Sequence, residues 1–264
     1  MIEHDNIRKN VRNRYAEIAG SVTKGCCGVS CCSSSPVHGA DASAKLGYSA
    51  KDMQAVPAES NLGLGCGNPQ AIANLKEGEI ALDLGSGGGF DCFLAAQKVG
   101  NSGRVIGIDM TPEMVSKARE NAGKGNYKNV EFRLGEIEHL PVADNSVDVI
   151  ISNCVINLSP DKKQVFREAY RVLKQGGRLA ISDVVAVKKL PDKVKKDLAA
   201  YAGCVAGAAL VSEVKVMLSE AGFADVSVEI NEASREFIKD WFPGSGIESY
   251  VVSAKIEAVK GEKR

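Results

Sequence analysis

The stretch "EIALDLGSGGGFDCFLAAQKVG", residues 79–100, decides the fold. It begins with an apolar run of strand character, passes through a loop rich in glycine, and ends in a segment with helical spacing of its apolar residues. Glycines at such a turn let the backbone reverse tightly and let a ligand approach the amino end of the next helix. The stretch therefore predicts a strand, a ligand-binding loop and a helix in succession.

The same alternation continues towards the carboxyl end. Strand character recurs in "GRVIGIDM", "VEFRLGEI", "VDVIISNCVI", "RLAISDVVA", "DVSVEI" and "SYVVSAKIEAVK". Strands separated by short helices predict an α/β fold, with a mainly parallel seven-stranded sheet and helices on both faces. One helix is expected to be capped by Ser159 and to end at Gly176. Another is expected to begin with Asn68 as N-cap and Pro69 in its first turn.

Two regions interrupt this pattern. Residues 1–67 are expected to form an amino-terminal extension, with a helix over 1–24 and then a cysteine-rich loop, "GCCGVSCCSSSPVHGADAS". Residues 68–264 are expected to form the main domain. An insertion over about 187–211 follows the fifth strand.

Composition narrows the class of protein. Lys+Arg and Asp+Glu are both 33, so no strongly charged field would recruit nucleic acid or anionic lipid. The charged amino terminus has no signal-peptide character, and no run approaches the roughly 20 apolar residues of a membrane span. We predict a soluble cytoplasmic protein with a small-molecule substrate that binds neither nucleic acid nor membranes. The chain has eight cysteines, and in a reducing compartment we do not expect them to form structural disulfides. Metal or metalloid binding, redox chemistry and packing remain as their possible roles.

The glycine loop departs from the dinucleotide fingerprint. The third glycine of G-x-G-x-x-G is replaced by Phe90. Asp109 ends the second strand, where a carboxylate can accept hydrogen bonds from ribose hydroxyls, although dinucleotide-binding proteins share this feature. The acidic start of the loop and the shorter glycine spacing indicate a different nucleotide cofactor. The loop residues concerned are Asp83, Gly85, Gly87 and Gly89.

Together, "DLGSGGG", "GIDM", "LGEIEHLP" and "DVIISN" resemble the motifs of class I S-adenosylmethionine-dependent methyltransferases, which have a Rossmann-like fold. The resemblance implies S-adenosylmethionine as cofactor. Asp83 and the loop glycines would then frame its methionine part, and Asn153 would lie near the methyl group. The residues implied for ribose and adenine are Asp109, Met110, Glu136 and Ile137.

Three cysteines are placed by topology around the edge where ligands of such sheets bind. Cys154 follows the fourth strand, Cys204 lies in the insertion, and Cys66 precedes the helix expected at Asn68. Cys92, in the first turn of a helix, is instead expected to pack in the core. Three thiolates suit a soft acceptor, whereas zinc usually takes four ligands, or three and water. Trivalent arsenic binds three sulfurs and keeps a nucleophilic lone pair.

Nearly the whole chain after residue 40 resembles the bacterial and archaeal arsenite methyltransferases. The matching stretches include "NLGLGCGNP", "LDLGSGGGFDCFLAA", "NSVDVIISNCVINLSPDK" and "YAGCVAG". The resemblance implies that Cys66, Cys154 and Cys204 bind arsenic(III), with arsenite or its thiol adducts as substrate and thioredoxin or small thiols as reductant. No structural metal is expected. A further amino-terminal cysteine would take part, for which we choose Cys32, with Cys26, Cys27 and Cys31 as the alternatives.

Two other functions are compatible with this pattern. A methyltransferase acting at carbon on a quinone-like ring could share the sheet, but would have no use for thiols at its rim. A thiol-based metalloid sensor or carrier would bind arsenite without turning over a cofactor. The sequence leaves open the number of methyl groups added, the oligomeric state, any metal in the cysteine-rich loop and the role of the segment around Trp241.

Overall fold

A computed structural model describes residues 2–21 and 39–261 of the chain. The cysteine-rich loop lies largely outside this range. The predictions for Cys26, Cys27, Cys31 and Cys32 therefore fall outside the described residues.

The described part of the chain forms one seven-stranded sheet in the order β3-β2-β1-β4-β5-β7-β6. Neighbouring strands from β3 to β5 pair in parallel, and β7 pairs antiparallel with both β5 and β6. This confirms the predicted Rossmann-like, mainly parallel sheet. The strands are β1 Ile80–Leu84, β2 Arg104–Asp109, β3 Val130–Leu134, β4 Val147–Asn153, β5 Leu173–Ala186, β6 Phe223–Asn231 and β7 Val251–Lys260.

Helices cover both faces of the sheet. Side chains alternate along each strand, so Ile150 of β4 joins the apolar cluster under α6 and α9, while its neighbours Val149 and Ile151 join the cluster under α4 and α5. The helices are α1 Ile2–Ser21, α2 Gly39–Lys45, α3 Ala50–Gln54, α4 Phe90–Val99, α5 Pro112–Lys124, α6 Lys162–Val172, α7 Asp192–Lys195, α8 Leu198–Ala202, α9 Val211–Ala221 and α10 Arg235–Ile238.

The predicted bounds of α6 are wrong at both ends. Asp161, not Ser159, caps the helix, because its carboxylate accepts a first-turn backbone N–H. The hydroxyl of Ser159 donates instead to Glu138 at 2.7 Å. The helix stops well before Gly176, because Leu173 is extended and already pairs with β4.

The helix predicted to begin at Asn68 is also wrong. The chain forms only a short 3-10 turn, Pro69–Ala71, and Asn68 makes no side-chain capping bond. Its amide donates to the carbonyl of Gly47 at 3.1 Å, which ties two loops together. Cys66 nevertheless lies at the carboxyl edge of the sheet, beside the loop that follows β4.

The insertion after β5 contains α7 and α8, and α8 packs against α1. A third apolar cluster forms there, containing Val11 of α1, Val205 and Ile247. This cluster also contains the three cysteines predicted to act together. Among the described helices, none has the length and apolar character needed to cross a bilayer.

We expect Phe166→Ala to lower the free energy of unfolding by about 3–5 kcal/mol, because it leaves a cavity in the core. Phe166 of α6 is 1% exposed. Val216→Ala on α9 is the control, since Val216 is 52% exposed and should cost less than about 0.5 kcal/mol. Urea unfolding measures both, and a cost below about 1 kcal/mol for Phe166→Ala would contradict the packing described.

Candidate active site

The glycine loop between β1 and α4 is held against the end of β2. The backbone N–H groups of Gly85 and Ser86 both donate to the carbonyl of Ile108, at 2.8 and 2.9 Å. Gly85 and Gly87 have φ of +73° and +51°, which favours glycine. A Cβ at Gly85 would overlap Val155, whereas a Cβ at Gly87 would meet no atom within 4 Å. Gly87 therefore borders open space.

Asp109 joins this loop to the end of β2. One carboxylate oxygen accepts the N–H of Gly87 at 2.9 Å, and the other accepts the N–H of Thr111 at 2.8 Å. Burial raises the pKa of Asp109, and these two hydrogen bonds oppose that rise. The carboxylate thus fixes the loop that a nucleotide would contact.

Two more carboxylates lie beneath the loop. The thiol of Cys92 donates to Asp83 at 3.2 Å, and the hydroxyl of Tyr48 donates to Asp91 at 2.8 Å. Burial, and next the neighbouring Asp91, raise the pKa of Asp83 well above its usual value. Burial also raises the pKa of Asp91 to about 6. Buried acids in this arrangement provide a favourable environment for a cationic ligand.

The loop opens into a cavity of about 390 Å³. Helix α1 forms part of its wall through Arg8, Val11 and Tyr15, a contribution that the sequence patterns did not indicate. Trp241 and Phe242 also line the cavity, which places the segment around the single tryptophan at the site. The predicted site residues on its wall are Asp83, Gly85, Gly87, Asp109, Met110, Ile137, Asn153, Cys154 and Cys204.

Two predicted cofactor residues lie beside the cavity instead of on its wall. Gly89 packs so closely against Phe93 and Phe132 that a Cβ would come within 3.0 Å of both rings. Glu136 forms ion pairs with α1, 3.5 Å from Arg8 and 3.4 Å from Arg12. Gly89 therefore packs against two aromatic rings, and Glu136 pairs with α1, outside the cavity lining.

The three predicted cysteines lie in one buried cluster, in which Cys154 and Cys204 line the cavity and Cys66 lies behind its wall. Cys66 and Cys154 form a disulfide, with Cα atoms 5.8 Å apart. The thiol of Cys204 donates to the backbone carbonyl of Cys154 at 3.0 Å. Burial, and then nearby Asp183, raise the pKa of the Cys204 thiol. Cys92 is separate, fully buried within α4.

Two of these cysteines adopt an uncommon backbone. Cys154 and Cys204 have φ of +58° and +62°. Among the described residues other than glycine, every other residue with positive φ is Asn or Asp, which tolerate the left-handed region better. A strained backbone conformation persists only where the surrounding fold holds it in place, and such conformations cluster at functional sites. Here the left-handed conformation turns the loops that carry Cys154 and Cys204 at the cavity wall.

Asn153, predicted to contact the cofactor, also holds the loop that carries Cys66. Its carbonyl oxygen accepts the N–H of Cys66 at 3.0 Å, and its amide donates to the carbonyl of Gly67 at 2.8 Å. The same amide donates to Tyr48 at 3.1 Å. Asn153 therefore connects the thiol side of the cavity with the carboxylates beneath the glycine loop.

Asp183 is a buried neighbour of the predicted cysteines that sequence reasoning missed, and it is not among the residues that line the cavity. It lies within β5 and is 2% exposed. A carboxylate oxygen of Asp183 and the sulfurs of Cys66 and Cys154 all lie within 4.8 Å of one another. Burial raises the pKa of this carboxyl to about 6. The available signal was an acidic residue inside the apolar strand "RLAISDVVA".

The central part of the chain matches the sequence model of a known protein family. Residues 75–222 match the model described as "Methyltransferase domain", which is more than half of the chain. The crystal structure of an arsenic(III) S-adenosylmethionine methyltransferase from Chlamydomonas reinhardtii is similar, with a TM-score of 0.62 and 33% sequence identity. That similarity covers 87% of this chain and 75% of the algal one. The fold and site thus define an S-adenosylmethionine-dependent methyltransferase.

Curated relatives specify the family. An arsenite methyltransferase of Halobacterium salinarum is 55% identical over 97% of this chain and 67% of its own length. One of Aquipseudomonas alcaligenes is 46% identical over 61% of this chain and 48% of its own length. The chain therefore spans two thirds of the first relative and about half of the second. It belongs to the arsenite methyltransferase family.

We expect Gly85→Ala to destabilise the protein about 1–3 kcal/mol more than Gly87→Ala. Both changes place a Cβ on a left-handed backbone, at a similar conformational cost. Only the Cβ at Gly85 would overlap Val155 and force repacking. Urea unfolding of the two variants measures the difference, and equal losses would show that the loop does not pack as described.

Proposed function

We propose that this chain transfers methyl groups from S-adenosylmethionine to trivalent arsenic held by cysteine thiolates, giving methylated arsenicals. The observation that carries the proposal is the shared cavity. One wall is the glycine loop with Asp109, and another carries the thiol loops of Cys154 and Cys204. Family membership and the activity named for the Halobacterium salinarum relative support the same conclusion.

The loop residues suit this cofactor. Gly87 leaves space where a side chain would stand, and the buried hydroxyl of Ser86 has no hydrogen-bond partner among the described residues. Asp83 and Asp91 line the same cavity, and a sulfonium bound there would favour the ionised form of both carboxyls. S-adenosylmethionine, when bound, supplies an electrophilic methyl group on that sulfonium. Asp109 would accept hydrogen bonds from the ribose, and Met110 and Ile137 would border the adenine.

Cys66, Cys154 and Cys204 would provide the thiols for arsenic. Because Cys66 and Cys154 are joined in a disulfide, a dithiol must first reduce them, a role suited to thioredoxin or small thiols. Each thiol that binds arsenite then replaces one hydroxyl, which leaves as water with the thiol proton. A reducing compartment such as the cytoplasm would keep the thiols available.

Methyl transfer would follow by in-line displacement. Cys66, Cys154 and Cys204 would hold arsenic(III) so that its lone pair could accept the methyl group, which would leave the sulfonium sulfur with the bonding electron pair and make arsenic pentavalent. Two thiolates can return arsenic to the trivalent state by giving up two electrons and forming a disulfide. Since this chemistry needs no general base, positioning of arsenic and methyl is the main catalytic contribution of the protein.

The amino-terminal cysteines belong to this proposal as reductants or as the first thiols to capture arsenite. We retain Cys32 as the candidate, with Cys26, Cys27 and Cys31 as alternatives. A carbon acceptor such as a quinone-like ring gains no support from the site, because such an acceptor has no need of three convergent cysteines.

We expect Cys154→Ser to lower the yield of methylated arsenic at least about 100-fold. The reason is that a hydroxyl does not replace a thiolate as a ligand for a soft acceptor. The assay combines purified protein, S-adenosylmethionine, arsenite and a dithiol, followed by separation of arsenic species. Cys66→Ser and Cys204→Ser should behave alike.

Cys92→Ser is the matched control for these variants. Cys92 is a buried thiol outside the cavity wall, and serine can still donate to Asp83. It should retain activity within about threefold. Full activity in Cys154→Ser would overturn the proposal, and tight arsenite binding without any methylated product in the wild type would indicate a sensor or carrier.

We expect Asp109→Asn to weaken binding of S-adenosylmethionine about 10- to 100-fold, because hydrogen bonds to a charged acceptor are lost. Isothermal titration calorimetry measures the dissociation constant. Asp148→Asn is the control, since Asp148 accepts the N–H of Ile80 at 2.8 Å, at the opposite end of β1. Equal dissociation constants for Asp109→Asn and the wild type would show that Asp109 does not bind the ribose.

A further inference from the structure

Helix α1 turns one of its faces to the cavity. Val11, Tyr15 and Ile18 are spaced four and three residues apart, which places them on one side of a helix, and all three line the cavity wall. Of these three, only Tyr15 has a polar side-chain group. Its ring packs against the apolar cluster that contains Cys204. The amino-terminal extension therefore brings a hydroxyl to the thiol side of the cavity.

The hydroxyl of Tyr15 is hydrogen-bonded to the sulfur of Cys204. The direction of this bond follows from the number of protons available. A thiol has a single proton, and Cys204 already donates it to the backbone carbonyl of Cys154 at 3.0 Å. The sulfur of Cys204 can therefore only accept from Tyr15, which makes the tyrosine hydroxyl the donor.

Both ends of α1 are attached to the main domain, which fixes the position of Tyr15. Arg8, two turns before Tyr15, forms an ion pair of 3.3 Å with the buried Glu138. Near the other end of the helix, the ammonium group of Lys117 donates to the carbonyl of Ala19 at 3.3 Å. Helix α1 also packs against α8. These contacts hold the tyrosine ring in place relative to the loop that follows α8.

Only one of the two hydrogen bonds at the Cys204 sulfur persists when this thiol binds arsenite. The thiol proton leaves with one arsenite hydroxyl as water, and a sulfur–arsenic bond replaces the S–H bond. The carbonyl of Cys154 then loses its donor. The hydroxyl of Tyr15 keeps its acceptor, and this hydrogen bond becomes stronger because a thiolate ligand carries more negative charge than a thiol.

We propose that Tyr15 is a positioning residue for arsenic binding. Its hydroxyl donates to the sulfur of Cys204 and holds that sulfur in place as a ligand beside the sulfurs of Cys66 and Cys154. The inference rests on the proposed function, since it takes arsenic as the ligand of the three thiols. It gives α1 a role in the arsenic site in addition to forming part of the cavity wall.

We expect Tyr15→Phe, which removes the hydroxyl and keeps the ring, to weaken arsenite binding about 5- to 20-fold. The dissociation constant is measured on the reduced full-length protein in a phosphine reductant. The fluorescence of Trp241, which lines the cavity and is the only tryptophan, provides the signal, with calorimetry as a check.

Tyr201→Phe is the matched control, because it removes the same group from another tyrosine of the same apolar cluster. Tyr201 does not line the cavity, and its hydroxyl donates to the carbonyl of Ser159 at 3.0 Å. This variant should change the dissociation constant of arsenite less than about twofold.

The Cys204→Ala background separates positioning of the sulfur from packing of the ring. Arsenite then binds through the two remaining thiols, and Tyr15→Phe should change its dissociation constant less than about twofold, because the sulfur that Tyr15 holds is gone. An equal loss in both backgrounds, or no loss in the wild-type background, would overturn the proposal. If the wild type does not bind arsenite, the proposed function itself fails.

Infrared spectroscopy of the reduced protein tests the hydrogen bond without arsenic. The S–H stretching band of Cys204 is identified as the band that is lost in Cys204→Ala. This band should shift in Tyr15→Phe, because the sulfur no longer accepts a hydrogen bond, and should keep its position in Tyr201→Phe. An unshifted band in Tyr15→Phe would contradict the proposal.

Discussion

The parallel pairing of β1 with β4 is the constraint on which the site depends. Its register places Leu84 opposite Ser152, so the two strands end side by side. The order in which strands are added to the sheet switches sides at this pair, because β2 and β3 lie on one side of it and β5 on the other. Crevices at such switch points are where open α/β sheets bind ligands. The glycine loop leaves β1 there, and Cys154 leaves β4 there.

Contacts across this crevice connect the cofactor side with the thiol side. Gly85 packs on Val155 with no room for a Cβ, so the two loops must fit each other. Asn153 continues the connection, because its amide reaches both the Cys66 loop and Tyr48, which bonds Asp91. A methyl donor on one loop and an acceptor on the other would therefore be held at a fixed separation. Such pre-organisation is what an in-line transfer requires.

The sequence predicted the sheet well because strand and helix periodicity are local properties. It also placed Cys154 and Cys204 at one edge, since topology fixes where each strand ends. Cys66 lies beside Cys154 as expected, although the helix used to place it does not form. The capping of α6 was mispredicted because Ser159 is engaged by Glu138, a residue of another loop. The roles of Tyr15 on α1 and of Asp183 in β5 depend on packing between distant elements, which no local pattern contains. The boundary at residues 67 and 68 stays a prediction.

The central claim is that one cavity holds methyl donor and arsenic together. A crystal structure of the reduced protein with S-adenosylhomocysteine and arsenite, with anomalous data collected at the arsenic edge, tests it most directly. The account predicts one arsenic peak at the sulfurs of Cys66, Cys154 and Cys204, facing the homocysteine sulfur across the crevice, with the ribose at Asp109. An arsenic peak away from these cysteines, or a cofactor outside the cavity, would contradict the account.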